Sequence, residues 1–74
     1  MPTKTLTAII EREGNWYVAL CPETDIASQG LTEEEALSNL REALELFFET
    51  ASNSEIESRL NGSRRVTQVE IAVG

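Results

Sequence analysis

Histidine is absent from this 74-residue sequence, and cysteine occurs once, as Cys21. Without an imidazole the chain lacks the commonest general base and the commonest zinc ligand. A lone cysteine can form neither an intrachain disulfide nor a thiolate metal cluster, and no imidazole is present to activate it as a nucleophile. Ser28, Ser38, Ser52, Ser54, Ser58 and Ser63 lack a base for the same reason. The four glycines lie far apart, so there is no glycine-rich phosphate loop. No apolar run approaches the ~20 residues that a membrane helix needs. The opening stretch "MPTKTLTAII" has no long apolar core and no small-residue cleavage site, so no signal peptide is expected. One cysteine and no export signal together predict a reducing, cytoplasmic location.

Positive charge is also scarce: six basic side chains stand against 13 acidic ones, a net charge of −7. Such a chain repels phosphate, which disfavours nucleic-acid binding by charge, and it attracts basic proteins. Half of the positive charge is gathered in Arg59, Arg64 and Arg65. Solvation or pairing with nearby glutamates is the ordinary account of such a cluster. Apolar residues make up 41% and charged residues 26%, a globular balance. The length predicts a single domain over residues 1–74. A chain this short buries only about 60% of the surface its unfolded form exposes, so a second copy that completes the core is a reasonable expectation.

Residues 3–13 alternate at the two-residue period of a strand, with Leu6, Ala8 and Ile10 on one side and Thr5, Thr7 and Ile9 on the other. Glu13, Gly14 and Asn15 suit a tight hairpin. Residues 16–21 form a second strand that Pro22 must end, because proline cannot donate to a ladder. Residues 26–29 make a short third strand closed by Gly30. The helix that follows has the strongest start signal in the sequence. Thr32 caps it, Glu35 completes a capping box, and Leu31 and Ala36 occupy staple positions. Glu33, Glu34 and Glu35 load its first turn, where the helix dipole favours negative charge. Ala36, Leu37, Leu40, Ala43, Leu44, Phe47 and Phe48 mark its buried face. Ser54 with Glu57 predicts a second, short helix, pinned by Ile56 and Leu60 and stopped at Asn61 and Gly62. Residues 66–73 alternate again and predict a final strand. The expected fold is α+β: a two-layer β-β-β-α-β domain with one main helix on an antiparallel-dominated sheet.

One helix covers one face of such a sheet. The second strand carries large groups on both sides, Trp16, Val18 and Leu20 against Tyr17, Ala19 and Cys21. An apolar face or edge is therefore expected to remain for a second copy or another partner. Carboxylates are the only groups left for catalysis. The β-β-β-α-β order resembles the front half of the ribonuclease H fold. That resemblance implies that a two-metal nuclease site would need carboxylates converging from the first strand, the helix and the last strand. Thr7, Ala8 and Ile9 put no acid in the first strand, and Glu70 with Glu42 or Glu45 cannot hold two metals alone. No catalytic, metal or cofactor site is expected, and a nuclease remnant is the alternative kept beside a binding module.

The stretches "WYVALCPE" and "IASQGLTEEEALSNLREALELFFE", with "VTQVEIAV" near the end, resemble the HicB-like antitoxin family. The likeness runs from Leu6 to Val73 and rests on the joint pattern rather than on any chemically unique motif. It implies a partial ribonuclease H-like fold and a non-catalytic role: binding a small, basic, HicA-type mRNA-cleaving toxin and blocking its active site. An orphan interaction domain that keeps the fold without a toxin stays open beside that role. Many relatives continue into a DNA-binding segment, whereas this sequence ends at Gly74, so no direct DNA binding is expected. The stretch "PETDIAS" is more compact than the glycine-containing turn of relatives. Candidate partner-binding residues are Trp16 and Tyr17 as anchors and Glu34, Glu42, Glu45 and Glu49 as acids facing a basic partner. Separately, a homodimer or higher homo-oligomer of this chain is expected.

Overall fold

The computed structural model describes residues 4–60 and 67–74. Its elements are β1 (Ile9–Glu13), β2 (Trp16–Cys21), β3 (Ile26–Gly30), α1 (Glu33–Thr50) and α2 (Asn53–Leu60). The strands form one antiparallel sheet in the order β1-β2-β3. Gly14 opens the β1–β2 hairpin with a φ of 59°, while Asn15 keeps a negative φ. That is the pattern of a type II′ turn, whose twist matches the strands it joins. At the other end Pro22 stops the ladder. Asp25 then turns the chain with a φ of 59°, and its amide donates to the Cys21 carbonyl at 2.9 Å.

Register decides which side chains meet the helix. Ile10 lies opposite Ala19, Ala19 opposite Ser28, and Cys21 opposite Ile26. Ala19 and Cys21 are fully buried with Ala36 and Leu40 of α1, and Leu6, Ile10, Tyr17, Ile26 and Leu44 pack around them. α1 packs chiefly on β3 and β2, and only its flank reaches β1. Two details hold it there. Gly30 lies so near the helix that a Cβ on it would meet the Ala36 nitrogen at 2.5 Å. Asn39 Nδ2 donates to the Gln29 carbonyl at 2.8 Å.

The start of α1 follows the sequence signal with one change. Thr32 is the N-cap, and its hydroxyl accepts from the Glu35 amide at 3.0 Å. The Glu35 carboxylate reaches back one residue further than a standard box, to the Leu31 amide at 3.2 Å. Leu31 stays 57% exposed while Ala36 is buried, so the expected staple does not close. α2 is present, but its cap is Ser52 and not Ser54. The Ser52 hydroxyl accepts from the Glu55 amide at 3.2 Å, and its carbonyl accepts from the Ile56 amide at 3.0 Å. α1 ends at Thr50, so the chain re-enters helix at once and the first available hydroxyl caps it. Ile56 and Leu60 are half-buried. Arg59 ties α2 to the β2–β3 turn by donating to the Thr24 carbonyl at 2.6 Å, with its guanidinium 5.5 Å from the Phe47 ring centre. Asn61, Gly62, Arg64 and Arg65 lie outside the described residues.

The expected final strand is corrected. Residues 67–74 belong to no strand, and Val69, Ile71 and Val73 are 79%, 76% and 85% exposed; Val66 lies outside the described residues. Alternation confers the tendency to extend, but a strand exists only where a neighbour's backbone completes the ladder. This chain does not bring the segment to such a neighbour. The architecture is thus α+β with the order β-β-β-α-α, and the fourth strand that a ribonuclease H-like arrangement requires is not supplied by the described residues.

Candidate interaction surfaces

The sheet has a second face, and it is written by the positions that alternate with the core. Ile9 stands opposite Leu20, Glu11 opposite Val18, and Glu13 opposite Trp16; on the far side Leu20 faces Ala27 and Val18 faces Gln29. Trp16 is 47% and Ile9 41% exposed, while Val18 and Leu20 are half-buried. Among the described residues α2 makes no packing with this sheet comparable to that of α1. An apolar strip centred on β2, with two glutamates along the β1 side, therefore faces outward. Patches of this kind, apolar and rimmed by charge, are typical of protein contact sites.

The expected anchors separate. Trp16 belongs to this outward face, whereas Tyr17 points the other way and is half-buried against the core. Adjacent residues of a strand always diverge in this manner. The four helix acids do come together. At 3.6 residues per turn Glu34, Glu42, Glu45 and Glu49 fall within about 80° of one another around the α1 axis, and all are exposed. They form an acidic ridge on the opposite layer from Trp16. Glu11 and Glu13, which directly neighbour the apolar strip, were missed as candidates; the signal that finds them is two-residue alternation combined with the hairpin register.

A concavity of about 880 Å³ lies beside the stretch that precedes β1. Its walls are residues 4–8 on one side and Leu37, Leu40, Leu44 and Phe48 of α1 on the other, with Glu45 and Glu49 along its rim. Glu23 fixes the strand-side wall. Its carboxylate accepts from the Thr7 amide at 3.1 and 3.0 Å, from the Thr7 hydroxyl at 2.7 Å and from the Cys21 thiol at 3.4 Å. Burial pushes the Glu23 carboxyl up, but hydrogen bonds from the Thr7 hydroxyl, its own amide, the Thr7 amide and the Cys21 thiol outweigh it, so the group is held below 4.5. The thiol is buried.

Among the described residues no three His, Cys, Asp or Glu side chains gather as ligands for a metal ion. No described helix is long and apolar enough to cross a membrane. What the arrangement offers is surface: one apolar sheet face, one apolar groove and one acidic ridge.

No family model matches the chain, and no solved structure matches it. Over 68 residues it is 34% identical to the UPF0150 protein of Helicobacter pylori (strain J99 / ATCC 700824), a match that covers 90% of this chain and 94% of that protein. Similarity of that extent spans nearly all of both chains, and this α+β domain belongs to the UPF0150 family, the HicB-like family in its broad sense.

Proposed function

We propose that this chain is a non-catalytic, antitoxin-like binding module that neutralises a small, basic, HicA-type mRNA-cleaving toxin by association. The observation that carries the reading is the outward sheet face, where Ile9, Trp16, Val18 and Leu20 form an apolar strip that nothing in the described chain covers as α1 covers the other side. Apolar side chains of this kind, an exposed tryptophan above all, serve as desolvated anchors in protein interfaces. Glu11 and Glu13 at its border match a basic partner directly. The net charge of −7, including the ridge of Glu34, Glu42, Glu45 and Glu49, draws that partner in from a distance. Family membership supports the same reading. In it, the three-stranded sheet with α1 on one face is the front portion of a partial ribonuclease H-like fold, working in the cytoplasm.

The test is co-expression with a small basic HicA-type toxin, followed by affinity capture and growth measurement. The expected result is a stable complex and restored growth, with both lost for Trp16→Asp and retained for Glu34→Gln. Absence of any complex, or one indifferent to Trp16→Asp, overturns the assignment of this face. A chain that folds and self-associates but binds no such toxin would be an orphan interaction domain.

A further inference from the structure

The outward face of the sheet is ordered in three columns, one to each strand. The middle column, on β2, is apolar: Trp16, Val18 and Leu20. On the β1 side Glu11 stands opposite Val18 and Glu13 opposite Trp16. On the β3 side Ala27 stands opposite Leu20 and Gln29 opposite Val18. The apolar ridge thus has acid along one flank only, with a small and a neutral side chain along the other. All four flanking residues are exposed. Among the described residues neither the Glu11 nor the Glu13 carboxylate has a hydrogen-bonding or ion-pair partner.

Resting on the antitoxin-like reading, we propose that this face takes one amphipathic helix of the basic partner, laid along β2. Two cationic side chains, four residues apart on one flank of that helix, sit over Glu11 and Glu13. A sheet face offers side chains and no free backbone groups, so a segment desolvated on it must satisfy its own amides and carbonyls. A single helix does so internally, and a single strand does not. The same sheet already carries one helix, α1, on its inner face.

The dimensions agree. Three strands about 4.8 Å apart span about 10 Å, the width of a helix. Trp16 to Leu20 is about 13 Å along β2, which roughly nine helical residues cover with one apolar stripe. Glu11 and Glu13 stand about 7 Å apart on one face of β1, and residues four apart on a helix rise about 6 Å. Charge narrows the occupant further. Phosphate is repelled by the two carboxylates. A second copy offering its long helix would bring the exposed acids Glu34, Glu42, Glu45 and Glu49 toward them. A cationic flank gains from both at once.

The experiment titrates the full chain with synthetic peptides of about 15 residues, long enough to form a helix. The first carries leucines at helical spacing and two lysines four apart on one flank of that stripe. A second has the same composition with the lysines moved opposite the leucines, and a third has a central proline that breaks the helix. Trp16 is the one tryptophan of the sequence, so its emission reports on this face. The first peptide is expected to shift that emission to shorter wavelength and to bind about tenfold more tightly than the second. That advantage should vanish at about 1 M salt and in a Glu11→Gln, Glu13→Gln double variant of unchanged circular dichroism. Emission unmoved by every peptide, affinity indifferent to lysine placement, or a proline peptide bound as tightly as the first overturns the proposal. A chain that captures a HicA-type toxin through Trp16 but binds none of the peptides keeps the antitoxin reading and overturns the helix. One that binds the first peptide in the expected manner but captures no such toxin upholds the helix and overturns the toxin.

Discussion

Replacing Gly30 by alanine tests the contact that fixes α1 on the sheet. Gly30 does not sit at positive φ, so the substitution adds volume without backbone strain. The new Cβ would lie 2.5 Å from the Ala36 nitrogen and 2.8 Å from both the Glu35 carbonyl carbon and its Cβ. Carbon contacts are at rest near 3.5–4.0 Å, so β3 and α1 must separate by about 1 Å. Two of the three obstructing atoms are backbone, which cannot rotate aside. Overpacking of this kind costs about 1–3 kcal/mol. The same separation stretches the Asn39–Gln29 hydrogen bond, worth about 1 kcal/mol. Reduced freedom of the unfolded chain returns about 0.4–1 kcal/mol. The net loss is about 1–3.5 kcal/mol. A domain of this size has roughly 4–11 kcal/mol in all, and each kcal/mol moves its melting temperature by about 4–8 °C. The melting temperature followed by circular dichroism should therefore fall by roughly 5–25 °C. Gly14→Ala is the control, since a Cβ there meets nothing within 4 Å but must adopt a φ of 59°. It should cost about 1–2 kcal/mol. A Gly30→Ala variant as stable as the unsubstituted chain would show that β3 and α1 do not approach so closely.

Thr24 is fully buried, and its hydroxyl has no hydrogen-bond partner. Thr24→Val keeps the shape, removes the stranded hydroxyl and leaves the carbonyl that Arg59 holds; it should stabilise by about 1 kcal/mol, read as a higher urea midpoint at constant slope, and a lower midpoint would refute it. Glu23 binds its proton less readily folded than unfolded, because its carboxyl is held below 4.5. Its contribution is therefore complete above the unfolded value and fades as pH falls through the lower native one. Glu23→Gln should lower stability at pH 7 and flatten the pH dependence below 4.5, and an unchanged acid profile would contradict the carboxylate's role.

The order of strands, both turns and the helix start were legible because each rests on neighbours in sequence. Gly14 supplies the positive φ of the hairpin, Pro22 ends β2, and Thr32 with Glu35 opens α1. An uncovered sheet face was legible too, since alternation in "WYVALC" places bulk on both sides of β2 while one main helix exists to cover it. Its makeup was not: Glu11 and Glu13 join Trp16 and Val18 only through the register of β1 on β2.

Local chemistry, acting over a few residues, thus determined β1 to β3, the turns between them and the start of α1. Tertiary structure alone decided which of Trp16 and Tyr17 faces solvent, that Ser52 and not Ser54 caps α2, and that residues 67–74 stay unpaired. Alternation tells a segment how to extend but not which backbone will complete its hydrogen bonds, and that partner is a matter of three-dimensional position.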